Sequence, residues 1–160
     1  MHTKIQSLAA LKRTVVRLKK RRKVIVFTNG CFDILHRGHV EYLEKARSLG
    51  DILIVAVNSD ASVRRLKGAG RPVNPLEDRM RILAALGCVD FVTSFADDTP
   101  LAVIKRLEPD ILVKGADWKK DEVAGKDVVE SYGGTIALVQ YLKGYSTTAM
   151  LAAVSRRGKP

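Results

Sequence analysis

The chain has 160 residues, 46% of them hydrophobic and 28% charged, which suits one globular domain spanning 1–160 and excludes a wholly disordered chain. Its formal net charge of +11 attracts anions, so nucleic acids, anionic membranes and phosphorylated metabolites are candidate partners. Basic residues concentrate in 19–23 and at the carboxyl end. We interpret most of the excess as solvated ends of the chain and expect no nucleic-acid partner.

Neither the cysteines nor the apolar residues indicate export or a membrane. Cys31 and Cys88 are too few for a disulfide framework or a zinc quartet, and we expect both thiols to be buried. The apolar stretch after residues 19–23 is short and interrupted, unlike a signal peptide. No window reaches the roughly 20 apolar residues that span a bilayer. The sequence predicts a cytoplasmic protein without a membrane partner.

The first predicted element is an amphipathic helix with a basic outer face, within residues 1–22. Its apolar positions recur at helical spacing: Ile5, Leu8, Leu11, Val15 and Leu18. This apolar stripe could pack on its own domain or on a second subunit. We expect a homo-oligomer, with a dimer favoured.

Strands and helices alternate through the rest of the chain. Short, continuous apolar runs predict five strands, at 24–28, 52–57, 89–93, 111–113 and 135–139. Between and after them the sequence predicts helices at 38–49, 61–66, 76–86, 99–107, 123–131 and 146–154. This alternation predicts a doubly wound α/β fold with a five-stranded parallel sheet. Ligands of such sheets bind at the carboxyl ends of the strands, near the point where the strand order reverses.

A pair of histidines follows the first predicted strand. Gly30 and Gly38 allow backbone N–H groups to approach a ligand, and His36 and His39 are spaced to lie on one side of a helical turn. A helix start with two imidazoles suits a phosphate group. The pair could instead bind a metal or lie idle on the surface, but no third ligand has a standard spacing. Neither a Walker loop nor a GxGxxG fingerprint is present.

The stretch 30–39, with His36-Arg37-Gly38-His39, resembles the HxGH signature of the nucleotidyltransferase superfamily. The segment 144–148, Gly-Tyr-Ser-Thr-Thr, resembles the GxST segment that opens the last helix in its cytidylyltransferase-like branch. Segments 26–33, 112–118 and 124–125 narrow the match, because they closely resemble D-glycero-β-D-manno-heptose 1-phosphate adenylyltransferases. The similarity runs from about residue 7 to residue 152. Members of that family are often fused to a sugar kinase, for which 160 residues leave no room.

The resemblance implies a Rossmann-like nucleotidyltransferase fold and transfer of AMP from ATP to a heptose 1-phosphate, with Mg²⁺ held mainly by the phosphates. It implies catalytic roles for His36, His39 and Lys114. It implies nucleotide binding by Asn29, Gly30, Cys31, Phe32, Gly38, Arg79, Tyr145, Ser146, Thr147 and Thr148. It implies substrate binding by Asp33, Lys67, Arg71, Gly115, Asp117 and Trp118, and no metal ligand from the protein.

Some of these roles have structural alternatives. Asp33 could cap the backbone of its loop instead of touching a ligand. Lys67, Arg71 and Arg79 could belong to a solvated basic loop. Cys31 is interpreted as a packing residue, because the reaction needs no nucleophilic thiol.

Two other functions stay open. Related cytidylyltransferases carry an arginine shortly before the GxST segment, whereas residues 140–143 here read Gln-Tyr-Leu-Lys. This difference weighs against a glycerol 3-phosphate cytidylyltransferase, which is the first alternative. A basic nucleic-acid-binding module is the second, although aromatic residues are only 6% of the chain and no stacking platform is evident.

Overall fold

A computed structural model describes residues 4–117, 119–140, 142, 144, 145, 147, 150–152 and 154. Its centre is a parallel sheet in the order β3-β2-β1-β4-β5. The strands are β1 (Ile25–Gly30), β2 (Ile52–Asn58), β3 (Phe91–Phe95), β4 (Ile111–Gly115) and β5 (Thr135–Val139). The predicted five-stranded parallel sheet is confirmed.

The strand order reverses beside β1. The chain moves outward from β1 through β2 to β3, then returns to the other side of β1 for β4 and β5. Register follows the same plan, with Gly30 opposite Val57 of β2 and Phe27 opposite Leu112 of β4. The carboxyl ends of β1, β2 and β4 therefore meet at the switch point, where doubly wound sheets bind their ligands.

Helices cover both faces of the sheet. They are α1 (Leu8–Lys20), α2 (Arg37–Arg47), α3 (Asp60–Lys67), α4 (Leu76–Ala85), α5 (Leu101–Leu107) and α6 (Lys126–Ser131), with a 3₁₀ turn at Lys120–Glu122. One apolar core joins α1, α5 and α6 to the sheet, and the other joins α2 and α4 to its opposite face. Continuous apolar strands need this two-sided cover, because neither of their faces can be left in water. Among the described residues, no helix is long and apolar enough to cross a membrane.

The first helix begins later than its apolar spacing predicts. Ser7 caps α1 by accepting a hydrogen bond from the N–H of Ala10 at 3.3 Å, which fixes the start at Leu8. Ile5 instead forms a parallel bridge with Val92 at the edge of β3. Helical periodicity cannot separate these cases, because a residue that pairs with a sheet edge is apolar too. The stripe of α1 packs on its own domain, where Leu11 is fully buried.

Several other boundaries differ from the prediction. The first, second and fourth strands extend one or two residues further, to Gly30, Asn58 and Gly115. The third strand lies two residues later, and α6 begins at 126 after the 3₁₀ turn. Both cysteines are only half-buried, contrary to expectation. Of the predicted helix 146–154, the described residues Thr147, 150–152 and 154 are helical, and its first predicted residue, Ser146, lies outside the described residues.

Candidate active site

A cavity of about 370 Å³ opens at the switch point, over the carboxyl ends of β1, β2 and β4. Most of the predicted site residues line it: Asn29, Gly30, Cys31, Phe32, Asp33, His39, Lys67, Arg71, Lys114, Gly115 and Thr147. The sequence did not single out the other lining residues, which are Tyr42, Asn58, Leu66, Asp98, Thr99, Pro100 and Ala124. The strand-end rule therefore located the site, although it did not identify every residue of its wall.

The loop after β1 is built on two close approaches. A Cβ at Gly30 would lie 3.0 Å from the ring of Phe32, which is itself buried and holds a left-handed backbone with φ 45°. A Cβ at Gly38 would lie 3.0 Å from the Cβ of Tyr145 and 3.1 Å from the ring of His36. Any larger residue at either position would displace the floor of the loop or the start of α2.

His36 caps α2. The backbone N–H of His39 donates to Nδ1 of His36 at 3.3 Å, so this nitrogen carries no proton. The neutral ring therefore has its proton on Nε2 and presents it as a donor. Burial lowers the pKa of His36, which favours that neutral form. The ring of Tyr145 lies beside that of His36, with the two centroids 6.3 Å apart. Gly38, His36 and Tyr145 lie next to the cavity but do not line it.

His39 is held neutral at the cavity. Burial, followed by electrostatic repulsion from His36 and Lys67, lowers the pKa of His39 to about 4. The edge of its ring meets Phe32 at a centroid distance of 5.3 Å. Within the described chain, its Nδ1 is the buried side-chain polar atom that has no hydrogen-bond partner. An unpartnered buried nitrogen is costly unless a ligand satisfies it.

Lys114 reaches the cavity from the end of β4. Its Nζ donates to Oδ1 of Asn29 at the end of β1, so this part-buried ammonium group has a hydrogen-bond acceptor. Burial lowers the pKa of Lys114 to about 8, although the nearby carboxylate of Asp117 acts in the opposite direction. Asp117 itself is exposed and does not line the cavity.

Asp33 fastens the loop that leads into α4. Its buried carboxylate accepts hydrogen bonds from the N–H of Val73 at 2.8 Å and of Asn74 at 2.9 Å, and pairs with Nε of Arg71 at 2.6 Å. Burial alone would raise the pKa of Asp33, but these bonds outweigh it and hold the pKa below its usual range. The structure shows the capping alternative for Asp33, which also lines the cavity, and its predicted contact with substrate stays a prediction.

Arg79 differs from its predicted role. It is fully buried on α4, and its guanidinium donates to the carbonyls of Asn74 and Cys31 at 3.0 and 2.6 Å and pairs with Asp60 at 2.7 Å. A guanidinium engaged on all three nitrogens supports the loops from beneath and presents nothing to a nucleotide. The spacing after the loop could not reveal this, because two of the partners, Cys31 and Asp60, are distant in the sequence.

Two cations remain at the mouth of the cavity. Lys67 ends α3 and lines the cavity, and Arg71 lines it while paired with Asp33.

Burial raises the pKa of the Cys31 thiol, so it stays protonated and is no thiolate nucleophile. Trp118, Ser146 and Thr148 lie outside the described residues, as does Lys143.

The described part of the chain brings no three His, Cys, Asp or Glu side chains together as a metal site. Of the cavity carboxylates, Asp33 is committed to its loop and Asp98 pairs with Arg65 at 2.7 Å. The lining is therefore suited to phosphate groups that bring their own cation. Sheet, switch-point cavity and cationic lining define a doubly wound α/β domain whose cavity lies where such folds bind their ligands.

The chain belongs to the cytidylyltransferase-like family, whose pattern matches residues 27–152. The predicted membership of the HxGH nucleotidyltransferases is thereby confirmed, together with their Rossmann-like fold.

Two curated relatives share more than half of their aligned residues with this chain. "Bifunctional protein HldE" of Geotalea uraniireducens is 56% identical over 151 residues, which are 94% of this chain and 31% of that protein. The protein of the same name from Photorhabdus laumondii is 54% identical, over 92% of this chain and 31% of that protein. The chain thus spans about a third of the length of the curated relatives it matches.

Solved structures agree on the fold. A lipopolysaccharide core biosynthesis protein from Thermoplasma volcanium is 30% identical with a TM-score of 0.63, covering 78% of this chain and 99% of that one. A pantoate-β-alanine ligase from Francisella tularensis has a TM-score of 0.61 at 17% identity, covering 94% of this chain and 76% of that one. The ligase shows likeness of fold alone.

Proposed function

We propose that this chain transfers AMP from ATP to the phosphate of a heptose 1-phosphate, giving ADP-heptose and pyrophosphate. The observation that carries the proposal is the convergence of a helix start, the imidazole of His39 and three cationic side chains on one cavity, with the imidazole of His36 stacked on that of His39. The cations are Lys67, Arg71 and Lys114. Such an arrangement suits a reaction in which two phosphate-bearing anions must be held together.

The chemistry requires no base. The acceptor phosphate is already an anion, so one of its oxygens attacks the α-phosphorus of ATP in line. The new O–P bond forms as the bond from the α-phosphorus to the bridging oxygen breaks, and pyrophosphate leaves with that electron pair. The enzyme then has two tasks, which are to overcome the repulsion between the anions and to stabilise charge on the leaving group.

The side chains divide these tasks. His36 and His39, both neutral, donate N–H groups at the start of α2, where the helix dipole also favours negative charge. Lys114 brings a full charge from β4. Lys67 and Arg71 face the same space from the opposite side, so phosphate groups between them would be enclosed by donors.

Magnesium would enter as part of the MgATP substrate. Mg²⁺ prefers oxygen ligands and keeps several waters, so phosphate oxygens and water can supply most of its ligands. The ion would supply charge neutralisation on the triphosphate.

The choice of heptose and of ATP depends on similarity. Segments 26–33 and 112–118 resemble heptose 1-phosphate adenylyltransferases. The relatives called bifunctional HldE are about three times as long as this chain, and one structural neighbour bears the name of a lipopolysaccharide core biosynthesis protein. These names support a sugar-phosphate acceptor for this chain.

Domain organisation and assembly stay predictions. We propose a single domain over 1–160, supported by two apolar cores that share one sheet. A homodimer would have to use a surface other than the α1 stripe, because Leu11 and Val15 are buried within the chain. Sedimentation velocity over a range of concentrations would test it.

A screen of pyrophosphate release tests the proposed function. Four nucleoside triphosphates are combined with a heptose 1-phosphate, hexose 1-phosphates and glycerol 3-phosphate. ATP with the heptose 1-phosphate should give the highest kcat/KM. A preference for CTP with glycerol 3-phosphate would overturn the adenylyl assignment, and salt-dependent binding of nucleic acid without any release would indicate a binding module.

A further inference from the structure

The wall of the cavity has two chemically different parts. On the side of β1 and β4 it carries His39 and Lys114, and Lys67 and Arg71 lie at its mouth. On the side of β2 and β3 it is formed by the acceptor-side wall, which we define as Asn58, Leu66, Asp98, Thr99 and Pro100. This second part holds a carboxylate, an amide and a hydroxyl instead of cations. These five residues offer a phosphate group no cation, so they suit the hydroxyl groups and carbon atoms of a ligand better than its phosphate.

The amide of Asn58 has a fixed orientation. Ser62 Oγ carries one hydrogen, which it donates to the backbone carbonyl of Asp97 at 3.0 Å. Its contact with the Asn58 amide, also 3.0 Å, must therefore be one that Ser62 accepts from Nδ2. Asn58 is 3% exposed and Ser62 is fully buried, so water cannot easily replace either bond. The Oδ1 of Asn58 is left as an acceptor.

The surrounding backbone keeps this arrangement in place. Ser59 caps α3 by accepting from the N–H of Ser62 at 3.2 Å, and its own N–H donates to the carbonyl of Phe95 at 2.8 Å. Arg65 pairs with Asp98 and donates to the carbonyl of Ala96 at 2.7 Å. The end of β2 and the segment after β3 are thus tied together around the amide.

We propose that the acceptor-side wall binds the hydroxyl-bearing carbon skeleton of the acceptor, with Asn58 Oδ1 accepting a hydrogen bond from one sugar hydroxyl. Asp98 at the rim provides further acceptor oxygens, while Leu66 and Pro100 offer apolar contact to carbon atoms. The inference rests on the proposed function for the identity of the acceptor. It adds that selectivity lies in the hydroxyl pattern, read by Asn58, and that Ser62 is the positioning residue.

Calorimetric binding of mannose 1-phosphate without nucleotide tests this directly. The wild-type protein should bind mannose 1-phosphate more tightly than inorganic phosphate. One monodeoxy analogue should bind about tenfold more weakly than the parent, because a hydrogen bond to a buried amide is lost. Binding of all deoxy analogues as tight as that of the parent would overturn the inference, as would equal affinity for inorganic phosphate.

Variants identify the residue. Asn58→Leu should weaken the binding of mannose 1-phosphate about tenfold. The variant should also bind that one deoxy analogue as tightly as the parent sugar phosphate, a non-additivity that marks a direct contact. Ser62→Ala frees the amide to turn and should give a smaller loss at the same hydroxyl. Ser131→Ala removes a comparable hydroxyl-to-carbonyl bond far from the cavity and serves as the control. A loss of ATP affinity in Asn58→Leu equal to the loss for mannose 1-phosphate would contradict the assignment.

These readouts separate the two proposals. Mannose 1-phosphate binding could depend on one hydroxyl and on Asn58 while no sugar 1-phosphate gives pyrophosphate release with ATP. That result would contradict the proposed function and support sugar binding by the acceptor-side wall. Pyrophosphate release with equal kcat/KM for parent and deoxy acceptors would do the reverse. If Asn58→Leu fails to fold, the wild-type analogue series and Ser62→Ala still decide.

Discussion

His36 and His39 stack face to face at the start of α2, with ring centroids 3.8 Å apart and planes inclined by 17°. The N–H of His39 also donates to His36 Nδ1, so each residue fixes the other. Two stacked imidazoles cannot both carry a proton charge at low cost, which favours neutral rings near pH 7. We therefore propose that the pair acts through neutral N–H donors and not as a general acid.

Removing the imidazole of His39 should reduce turnover more than nucleotide affinity. If its ring contacts phosphate oxygens chiefly in the transition state, His39→Ala should lower kcat by about 10²–10³ and change the KM for ATP little. His39→Asn keeps a shorter neutral donor and should recover part of the loss. Steady-state kinetics measure both effects, with a thermal melt to confirm folding. Near-normal kcat in a folded His39→Ala protein would remove His39 from the catalytic site.

The titration of His39 should respond to ligand. With a pKa of about 4 in the free protein, its ring stays neutral until well below the pH at which an ordinary histidine gains its proton. A triphosphate beside the ring favours the charged form, so ATP should raise this pKa. NMR titration of the Cε1 proton can follow it, because the chain contains three histidines. A free-protein pKa near 6.5 that ATP does not move would show that the ring is solvated and away from the phosphates.

Lys114 should give the activity an alkaline limit. Its pKa of about 8 means that the cation predominates below pH 8 and is lost as the pH rises above it. The kcat/KM should therefore fall above pH 8. The Lys114→Ala variant should have a low kcat/KM at every pH. Lys114→Arg keeps its charge and should move the limit upward. The control is Lys105→Arg on the exposed side of α5. Identical profiles for wild type and a folded, active Lys114→Arg would assign the limit to another group.

Replacing the carboxylate of Asp33 should loosen the loop at 71–74. Asp33→Asn loses the ion pair with Arg71 and weakens two charge-assisted bonds, which costs about 1–3 kcal/mol of unfolding free energy. Because the pKa of Asp33 is lowered by folding, its contribution is present above the ordinary carboxyl pKa of 3.8 and is lost as the pH falls through the lower folded value.

Urea titration at pH 7 and at pH 3 measures this contribution. Asp51→Asn is the matched control, since Asp51 also accepts a backbone N–H and pairs with a lysine, but on the exposed surface. The stability difference between wild type and Asp33→Asn should shrink on acidification. An undiminished difference at both pH values would mean that charge on Asp33 contributes nothing.

The sequence anticipates the site where chain order and chemistry coincide. Gly30, His39 and Lys114 follow apolar strands, so the parallel-sheet rule places them at one edge. Asn58 was missed although it ends β2 in the same way, because the strand was expected to stop at Val57 and an asparagine there suggests a turn. The partners of Arg79 were not predicted, because Cys31 and Asp60 are distant from it in the sequence. Ile5 was placed in a helix because bridge and helix demand the same apolar side chain.

The path of the phosphate oxygen atoms shows whether the sugar phosphate attacks the α-phosphorus of ATP. A heptose 1-phosphate labelled with ¹⁸O at its non-bridging phosphate oxygens is incubated with unlabelled ATP and Mg²⁺, and the products are followed by ³¹P NMR. Direct transfer of AMP should give two coupled phosphorus signals from a new diphosphate with ¹⁸O in its bridge. One unlabelled pyrophosphate should form for each diphosphate. Formation of ADP, or of AMP and pyrophosphate with the labelled sugar phosphate unchanged, would contradict it.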